Sequence, residues 1–269
     1  MRKVIDTNAL QSDELRSYLA ASRQNSAVLT EYASIEVHKG DTLKSIFSSL
    51  EILSTFPAQV IILKGTQALC ALKGRGKGLQ RRFIDAHTTA DFAKYCAQLA
   101  KARAGDARLQ AQILRLGKDA DAIVDRLLAA VPDVTEGRKQ VADYYTDAEL
   151  RIIRTHGVPS QELKDKIVKN LLLLAGFLFR DHPRVIAWPD FETLFNRYIF
   201  RYALCTHLWL LDWVSHGSSD EVSARRVRND LIDLHFATCA TYFDGLMSND
   251  GVALRVYRTA ARQLAAMTP

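Results

Sequence analysis

The opening of the chain constrains its fold more than any later stretch. Val4 and Ile5 belong to a short β-branched run that stops on a carboxylate, Asp6, and small polar residues follow at once. β-Branched runs favour a buried strand. In an open α/β sheet, the carboxyl ends of the strands form the edge where ligands bind. Asp6 is therefore placed for chemistry rather than for packing.

The residues that follow alternate between helix and strand patterns. Ser12 caps a predicted helix whose first turn carries two acids, and residues 28–30 predict a second strand. A helical start follows at residues 31–37, a further helical apolar period covers residues 43–53, and residues 60–63 are a continuous β-branched run typical of a third strand. Right-handed crossovers in such a chain place parallel strand ends side by side. The predicted class is α/β with a parallel sheet.

The middle of the chain, from about residue 65 to residue 190, predicts helices without further strands. Apolar periods separated by Gly and Pro signals mark these helices. They fall near residues 90–104, 108–131, 146–155 and 161–179, with turns at residues 105–106, 132–133 and 157–159. An aromatic face at helical spacing between Leu194 and Trp209 is interpreted as core. We therefore predict a core formed by residues 1–64 and 220–269 and a mostly helical insertion of residues 65–219, part of which packs as core helices.

The composition is that of a folded, mildly basic, soluble chain. Hydrophobic content of 48% and charged content of 25% argue against disorder, and the net charge of +6 favours a polyanionic partner without identifying one. The four cysteines are too widely spaced for a zinc knuckle, so we interpret them as reduced core thiols of a cytoplasmic protein. The start lacks an apolar run of signal-peptide length, and the most apolar segment, residues 167–179, is too short to span a membrane.

Carboxylates recur where the predicted strands end or their helices begin. Asp6 ends the first strand, Glu36 lies in the helix after the second, and Asp250 follows a short apolar strand near the end of the chain. Asp230 and Asp233 stand three apart in a predicted helix over residues 221–242, so they share one face. Two like charges on one face repel unless a positive group, either a metal ion or a neighbouring arginine, lies beside them.

Each acid also has a purely structural alternative. Asp6 would otherwise cap the turn that follows it. Glu31 competes with Glu36 and would otherwise be a first-turn acid favoured by the helix dipole. Asp230 and Asp233 would otherwise be exposed acids paired with the arginines one turn earlier.

The order of these motifs resembles the PIN domain family of metal-dependent nucleases. The matching residues are Val-Ile-Asp-Thr-Asn at positions 4–8, Glu36, Asp230 or Asp233, and Ser248-Asn249-Asp250, where Ser248 replaces the family's usual Thr and keeps a hydroxyl. The resemblance covers the first forty or so residues and roughly the last fifty. It implies a PIN-like three-layer α/β/α fold with a central parallel sheet. A far longer segment separates the second and third acids here than in compact members, and an apparent helix replaces the usual final strand.

The resemblance also implies a metal site and a reaction. A bound divalent ion lowers the pKa of water and neutralises charge on a phosphate, and Mg²⁺ and Mn²⁺ prefer oxygen ligands. The implied metal-binding and catalytic residues are Asp6, Glu36, Asp230, Asp233 and Asp250, with Thr7, Asn8, Ser248 and Asn249 in supporting positions. The implied activity is hydrolysis of phosphodiester bonds in single-stranded RNA, which leaves 5′-phosphate and 3′-hydroxyl ends.

Two basic stretches are candidates for contact with a nucleic-acid backbone. Residues 73–82 combine glycines with dense positive charge, but Gly78 follows Lys77 where a phosphate loop of the GxxxxGK[ST] type has Ser or Thr. Lys and Arg contacts to phosphate supply most non-specific affinity for nucleic acid. The candidate contacts are Arg75, Lys77, Arg81, Arg82, Arg225, Arg226 and Arg228. A solvated loop without a partner is the alternative for residues 73–82.

Several functional interpretations stay open at this point. Compact relatives act as toxins, so a toxin or defence role with an antitoxin protein as partner is compatible with the sequence, as is RNA processing. The alternatives from other classes are a non-catalytic PIN-like scaffold that binds RNA or protein, and a structure-selective DNA nuclease. Homodimer formation also stays open, and no membrane partner is expected.

Overall fold

A four-stranded parallel sheet organises the chain in the computed structural model, which describes residues 1–129, 131–155, 157–185, 188–217 and 223–267. The strands are β1 (Arg2–Ile5), β2 (Ser26–Leu29), β3 (Val60–Ile62) and β4 (Gly245–Met247). Their spatial order is β3, β2, β1, β4, and each neighbouring pair is parallel. The predicted α/β class and parallel sheet are therefore confirmed, with β1 and β2 at the centre.

Helices fill the rest of the described chain. Before β4 they are α1 (Asp13–Ala21), α2 (Glu31–His38), α3 (Thr42–Ser49), α4 (Glu51–Thr55), α5 (Thr66–Ala71), α6 (Leu79–Phe83), α7 (Ala86–Arg103), α8 (Ala107–Ala129), α9 (Val131–Tyr144), α10 (Asp147–Arg154), α11 (Gln161–Asp181), α12 (Phe191–Leu194), α13 (Tyr198–Ser215) and α14 (Ala224–Ala240). After β4 comes α15 (Gly251–Met267), and short 3-10 turns cover Thr7–Ala9 and Pro57–Gln59.

Side-chain caps fix several of the helix starts that the sequence predicts. Ser12 Oγ accepts a hydrogen bond from the Leu15 amide at 3.1 Å at the start of α1. Thr30, directly after β2, accepts from the Ala33 amide at 3.2 Å and starts α2. Each cap satisfies an amide that has no partner within its own helix. The caps therefore fix where each helix leaves the sheet.

Local differences from the predicted elements have simple physical reasons. The predicted helix over residues 43–53 is divided between α3 and α4, and the predicted flexible loop over residues 73–82 contains the short helix α6. The turn predicted at residues 132–133 is instead the beginning of α9, because proline is tolerated in the first turn, where its missing N–H needs no partner. The predicted domain boundary at residues 219 and 220, and the start of the predicted helix at residue 221, lie outside the described residues.

One hydrophobic core joins the sheet to the helices of the predicted insertion. Phe83, Phe200 and Phe236 are fully buried in the same apolar cluster as the central strands. α8 packs against α2, and α13 packs against α14 and α15. Part of residues 65–219 therefore supports the sheet segments directly.

The four cysteines are free thiols, and Cys70, Cys205 and Cys239 are buried. Burial raises the pKa of each of these three thiols to about 12, so they stay protonated at neutral pH. Among the helices that the structure describes, none has the length and apolarity needed to cross a membrane.

Candidate functional site

The sheet has its topological switch point between β1 and β4. The chain moves from β1 to β2 and β3 on one side, and β4 then adds on the other side of β1. In open parallel sheets, ligands bind in the crevice outside the carboxyl ends of strands at such a point. Asp6 directly follows β1 and Ser248 directly follows β4, so both ends of the chain supply polar side chains there.

Asp6 is held by side chains from both ends of the chain. Ser248 Oγ donates to Asp6 Oδ2 at 2.5 Å, Asn8 Nδ2 donates to the same oxygen at 2.7 Å, and Thr7 Oγ1 lies 3.3 Å from Asp6 Oδ1. The residue is only 1% exposed. Burial raises the pKa of the Asp6 carboxyl, the Ser248 hydrogen bond lowers it, and the charge of Glu36 raises it further. Asp6 is thus an oriented, desolvated acid.

Asn8 and Asn249 connect the carboxyl ends of the neighbouring strands β1 and β4. Asn8 Oδ1 accepts from the Asn249 amide at 2.8 Å, and the Asn249 side chain donates to the Asn8 carbonyl at 2.9 Å. The backbone adds a bond from the Asp6 amide to the Met247 carbonyl at 2.9 Å. Asn8 and Asn249 are thus paired at this end of the sheet, while Thr7 and Ser248 contact the Asp6 carboxylate.

Glu36, and not Glu31, joins Asp6. Thr7 donates a short hydrogen bond to Glu36 Oε2, and Lys39 Nζ lies 2.7 Å from Glu36 Oε1. Glu31 instead accepts from the Thr66 amide at 2.7 Å, so it caps the start of α5 beyond β3. The structure therefore separates the two glutamates: Glu36 belongs to the site and Glu31 fixes the loop after β3.

Asp233 is the centre of the acidic cluster. Burial raises the pKa of its carboxyl to about 8, and four neighbouring carboxylates add to this. In order of their effect they are Asp6, Asp250, Glu36 and Asp230. Carboxylates from β1, α2, α14 and the β4 end thus lie within electrostatic reach of one side chain.

Asp230 lies at the margin of the cluster. Burial raises the pKa of its carboxyl to about 6, while the charge of Arg226 and a hydrogen bond from Trp209 lower it, and Asp250 raises it. The sequence left both aspartates as candidates for the third acid. In the structure the charges of four other acids raise the pKa of Asp233, whereas Asp230 has an arginine neighbour whose charge lowers its pKa.

Asp250 has two roles. Its Oδ1 accepts from the Ala253 amide at 2.7 Å and so caps α15. Its own amide donates to Ser248 Oγ at 2.9 Å, which places the Asp250 backbone beside the hydroxyl that holds Asp6. Its charge raises the pKa of both Asp233 and Asp230. Asp250 therefore contributes negative charge to the cluster while its Oδ1 caps the start of α15.

The cluster is not arranged as a finished metal cage. Within the described ranges, no three His, Cys, Asp or Glu side chains are placed so that they could hold a metal ion together. The Glu36 carboxylate contacts Thr7 and Lys39, and one Asp250 oxygen contacts Ala253, so these groups point at neighbours rather than at one shared position. The donors are nevertheless all carboxylates, which suit a hard divalent cation, and their mutual repulsion favours one. The chemistry of the donors, though not their present arrangement, therefore fits such an ion.

The predicted nucleic-acid contacts fall into two groups. Arg75, Lys77, Arg81, Arg225 and Arg226 are exposed. Arg82 instead closes its own loop by donating to the carbonyls of Lys77 at 2.6 Å and of Lys73 and Arg75. Arg228 is buried and donates to Asn229 Oδ1 at 2.7 Å. The structure gives Arg82 and Arg228 internal contacts in place of the predicted ones.

The basic loop is anchored away from the acids. A Cβ at Gly74 would collide with the Thr193 carbonyl, so only glycine fits against that segment. Gln80 donates to the Tyr242 carbonyl at 2.6 Å, just beyond the carboxyl end of α14. Asp233 lies about 10 Å of helix rise before Ala240, the last residue of α14. Of the candidate nucleic-acid contacts, the exposed ones nearest Asp230 and Asp233 in sequence are thus Arg225 and Arg226.

Three other side chains neighbour the acidic residues. His235 follows Asp233 on α14 but stacks on Tyr32 at 4.2 Å between ring centroids, and burial lowers its pKa to about 3, so it is a neutral core residue. Trp209, interpreted as core from the sequence, is buried and also lowers the pKa of the neighbouring Asp230 carboxyl. Lys39, the residue directly after α2, was missed as a partner of Glu36, although its i+3 spacing carries that signal.

Comparisons of this chain with protein-family models, curated proteins and solved structures found no match.

Proposed function

We propose that this chain is a metal-dependent endoribonuclease with a PIN-like core, and that it hydrolyses phosphodiester bonds of single-stranded RNA. The observation that carries the proposal is the assembly of acids from both ends of the chain at the switch point of a parallel sheet. Asp6 and Ser248 are 242 positions apart and directly hydrogen-bonded. The choice of RNA follows from the sequence resemblance, and the mild positive charge of the chain supports a polyanionic substrate.

The strand order supports the PIN-like part of the proposal. The crossovers from β1 to β2 and from β2 to β3 run in one direction across the sheet, and the connection from β3 to β4 runs back past β1 in the other direction. Right-handed crossovers in two directions put helices on both faces of a sheet, which is the arrangement of a three-layer α/β/α core. The helices of residues 65–219 would then extend this core.

The residues that would hold Mg²⁺ or Mn²⁺ are Asp6, Glu36 and Asp233, with Asp250 and Asp230 at the margin. When bound, such an ion lowers the pKa of water and neutralises charge that develops on the phosphate. Asp6 is already ordered by Ser248 and Asn8, so it loses little side-chain freedom on binding. Ordering of this kind is what a metal ligand needs from its outer contacts.

Two features of the chain would serve the substrate. Arg225 and Arg226 are exposed at the start of α14, within two turns of Asp230 and Asp233, where they can neutralise the RNA backbone. The exposed side chains of Asn8 and Asn249 border the cluster between β1 and β4. Each offers amide donors and acceptors beside the position where a phosphate would meet the acids.

The decisive experiment compares purified wild type with Asp6→Asn on 5′-labelled single-stranded RNA in Mn²⁺, in Mg²⁺ and in EDTA. Asp6→Asn is expected to lower cleavage at least about 100-fold, because even outer contacts of a metal ligand contribute about 10–100-fold. Asp13→Asn removes the same charge from the exposed first turn of α1 and serves as the matched control, with activity retained.

The outcomes separate the candidate functions. Equal cleavage by wild type and Asp6→Asn identifies a contaminating nuclease and rejects the proposal. Preference for single-stranded DNA or for flapped duplexes over RNA assigns the site to DNA instead. RNA binding without cleavage in any metal supports the non-catalytic scaffold.

A further inference from the structure

The outward face of α15 carries a row of arginines. The charged residues of this helix are Arg255, Arg258 and Arg262, and the sequence of residues 251–267 contains no acid. The helices α7, α8, α11, α13 and α14, which are at least as long, each mix acidic with basic residues. We call the three arginine side chains the α15 stripe.

The three arginines lie on one side of the helix and are exposed. At 3.6 residues per turn, Arg258 and Arg262 are displaced by about 60° and about 20° from Arg255, in the same direction around the axis. Along the axis the stripe is about 10 Å long. The opposite face of α15 packs into the core through Ala253, Val256, Ala260 and Leu264.

The stripe begins beside the acidic cluster. Asp250 caps α15, and Arg255 follows it by about 8 Å of helix rise. The Arg255 guanidinium lies 3.4 Å from Asp212 Oδ2 on α13. Asp212 is about one turn after Trp209, which neighbours Asp230. Two elements that carry or contact the acids therefore lead to the first arginine of the row.

The row has little compensating charge within the protein. Arg258 stands three residues from Arg255 and four from Arg262, and like charges at these spacings destabilise a helix. The pair of Arg255 with Asp212 is solvent-exposed and contributes little. Arg262 donates to the Arg258 carbonyl at 3.4 Å and to Thr259 Oγ1 at 3.5 Å, which are both uncharged. An external anion would stabilise this arrangement.

We propose that the α15 stripe binds the phosphate backbone of single-stranded RNA where the strand leaves the acidic cluster. This inference rests on the proposed function, because it takes the scissile phosphate to lie at the acids. The phosphates on one side of the cleavage point then follow the stripe from Arg255 to Arg262. Arginine suits this role because its planar fork can bind two phosphate oxygens at once.

The shape of the stripe favours a single strand. Proteins that bind single-stranded nucleic acid follow its backbone with a line of positive charge, and the stripe is one side chain wide. An anionic membrane is a poorer match, because helices that lie on membranes insert large apolar side chains. The large apolar side chains that are exposed in the described chain all lie outside α15.

Salt-dependent binding tests the stripe without requiring cleavage. Asp6→Asn protein, with and without Arg255→Gln/Arg258→Gln/Arg262→Gln, is titrated with a labelled oligouridine of about 15 nucleotides, a length that single-strand grooves cover. The slope of the logarithm of the binding constant against the logarithm of the salt concentration is expected to become shallower by about 2, since each phosphate contact contributes about 0.7. At about 0.1 M salt, this corresponds to a loss of affinity of about 100-fold.

Two further variants separate charge from position. Lysine at the three stripe positions keeps the charge and is expected to keep most of the slope. Lys101→Gln/Arg103→Gln/Arg108→Gln removes the same charge from exposed side chains around the turn between α7 and α8. Because α7 begins at the carboxyl end of β3, this turn is about 23 Å of helix rise from the ligand-binding edge, and the slope is expected to stay unchanged.

Photocrosslinking locates the strand. An oligouridine with 4-thiouridine at one position at a time is expected to crosslink to residues 251–267 from positions on one side of the cleavage site only. Equal slopes with and without the stripe, an equal loss in the α7–α8 variant, or crosslinks from both sides would each overturn the proposal. Stripe-dependent binding to phosphatidylserine vesicles with an unchanged RNA slope would assign the stripe to a membrane instead. A stripe-dependent slope without cleavage by wild type would keep the binding site and reject the nuclease.

Discussion

Asp6 and Ser248 come from opposite ends of the chain, and the Ser248 hydroxyl donates to Asp6 Oδ2 at 2.5 Å. The bond joins the carboxyl end of β1 to that of β4 across the switch point of the sheet. It also lowers the pKa of the most deeply buried acid of the site. Ser248 thus both connects the two strand ends and favours the ionised form of Asp6, the candidate metal ligand.

Removing the Ser248 hydroxyl is expected to affect both stability and activity. Ser248→Ala leaves Asp6 with one donor fewer and also removes the acceptor for the Asp250 amide, so unfolding in urea is expected to require about 1–2 kcal/mol less. Metal-dependent cleavage is expected to fall about 10–100-fold. Ser248→Thr restores a hydroxyl and is expected to recover most of both. Equal losses in Thr and Ala would show that volume, and not the hydrogen bond, determines the effect.

The stability of the metal-free protein is expected to fall as the pH rises. The carboxyl of Asp233 has a pKa raised by burial and then by its acidic neighbours to about 8, against an unfolded value of 3.8. A raised pKa means that the folded state holds the proton more tightly, so this stabilisation is complete below about pH 4 and is lost as the pH approaches 8. The pKa of Asp230 is raised to about 6, so this residue adds to the loss of stability in the lower part of the same pH range.

Asp233→Asn is the variant that tests this window. The amide carries no charge, so in EDTA at pH 8 the variant is expected to be more stable than wild type by on the order of 2 kcal/mol. At pH 4 the two proteins are expected to unfold at similar urea concentrations, because wild-type Asp233 is then protonated. A wild type that is equally stable at pH 5 and pH 8 in EDTA would contradict the charge cluster.

A divalent ion is expected to reverse this dependence. Mn²⁺ or Mg²⁺ needs deprotonated carboxylates, so protons and metal compete for the cluster. At pH 8 and about 100 times Kd, the metal is expected to raise Tm by about 5–10 °C, and at pH 5 by much less. Asp6→Asn and Asp233→Asn are expected to lose most of the shift, which differential scanning fluorimetry measures. A shift of the same size in Asp6→Asn would place the bound ion elsewhere.

The strands and the order of the acids were predictable from local sequence. Short β-branched or apolar runs predicted the four strands, and Ser12 marked the start of α1, where it accepts from the amide three residues later. Thr30, predicted as the end of the second strand, instead caps α2. Because parallel strand ends meet at one edge, acids after β1 and β4 were expected to lie together. The order of short motifs was therefore enough to choose Asp6 and Asp250 as candidates from the 30 acidic residues of the chain, and the structure brings both near Asp233.

Other features depend on contacts that local patterns do not encode. Glu31 and Glu36 are both acids of α2, and only the positions of Thr66 after β3 and of Thr7 after β1 distinguish them. Arg82 could not be separated from its basic neighbours until the loop carbonyls it binds were placed. Arg228 lies about half a helical turn from Arg226, so its side chain points toward the core and is buried. In each case tertiary packing, rather than residue type, sets the role.

Glutamine substitutions at the two glutamates are expected to have opposite effects. Glu36→Gln removes a charge beside Asp6 and Asp233 and is expected to abolish metal-dependent cleavage while the fold is kept. Glu31→Gln weakens a charge-assisted bond to the Thr66 amide and is expected to cost about 1 kcal/mol of stability with cleavage retained. Urea unfolding and RNA cleavage, measured on both variants, check this. Loss of cleavage in Glu31→Gln at full stability would return Glu31 to the site.

Two pairs of basic residues separate the candidate paths of RNA across the surface. The structure anchors the loop of Arg75 and Lys77 at Thr193 and near the carboxyl end of α14, whereas Arg225 and Arg226 begin that helix beside the acids. Binding is measured with the inactive Asp6→Asn background at several salt concentrations, so that cleavage does not interfere. The slope of the logarithm of the binding constant against the logarithm of the salt concentration is expected to become shallower by about 1.4 in Arg225→Ala/Arg226→Ala. Each lost contact to a single strand contributes about 0.7 to this slope. Arg75→Ala/Lys77→Ala removes the same charge and is expected to leave this slope nearly unchanged. A larger effect from this pair would show that the RNA binds along the loop instead.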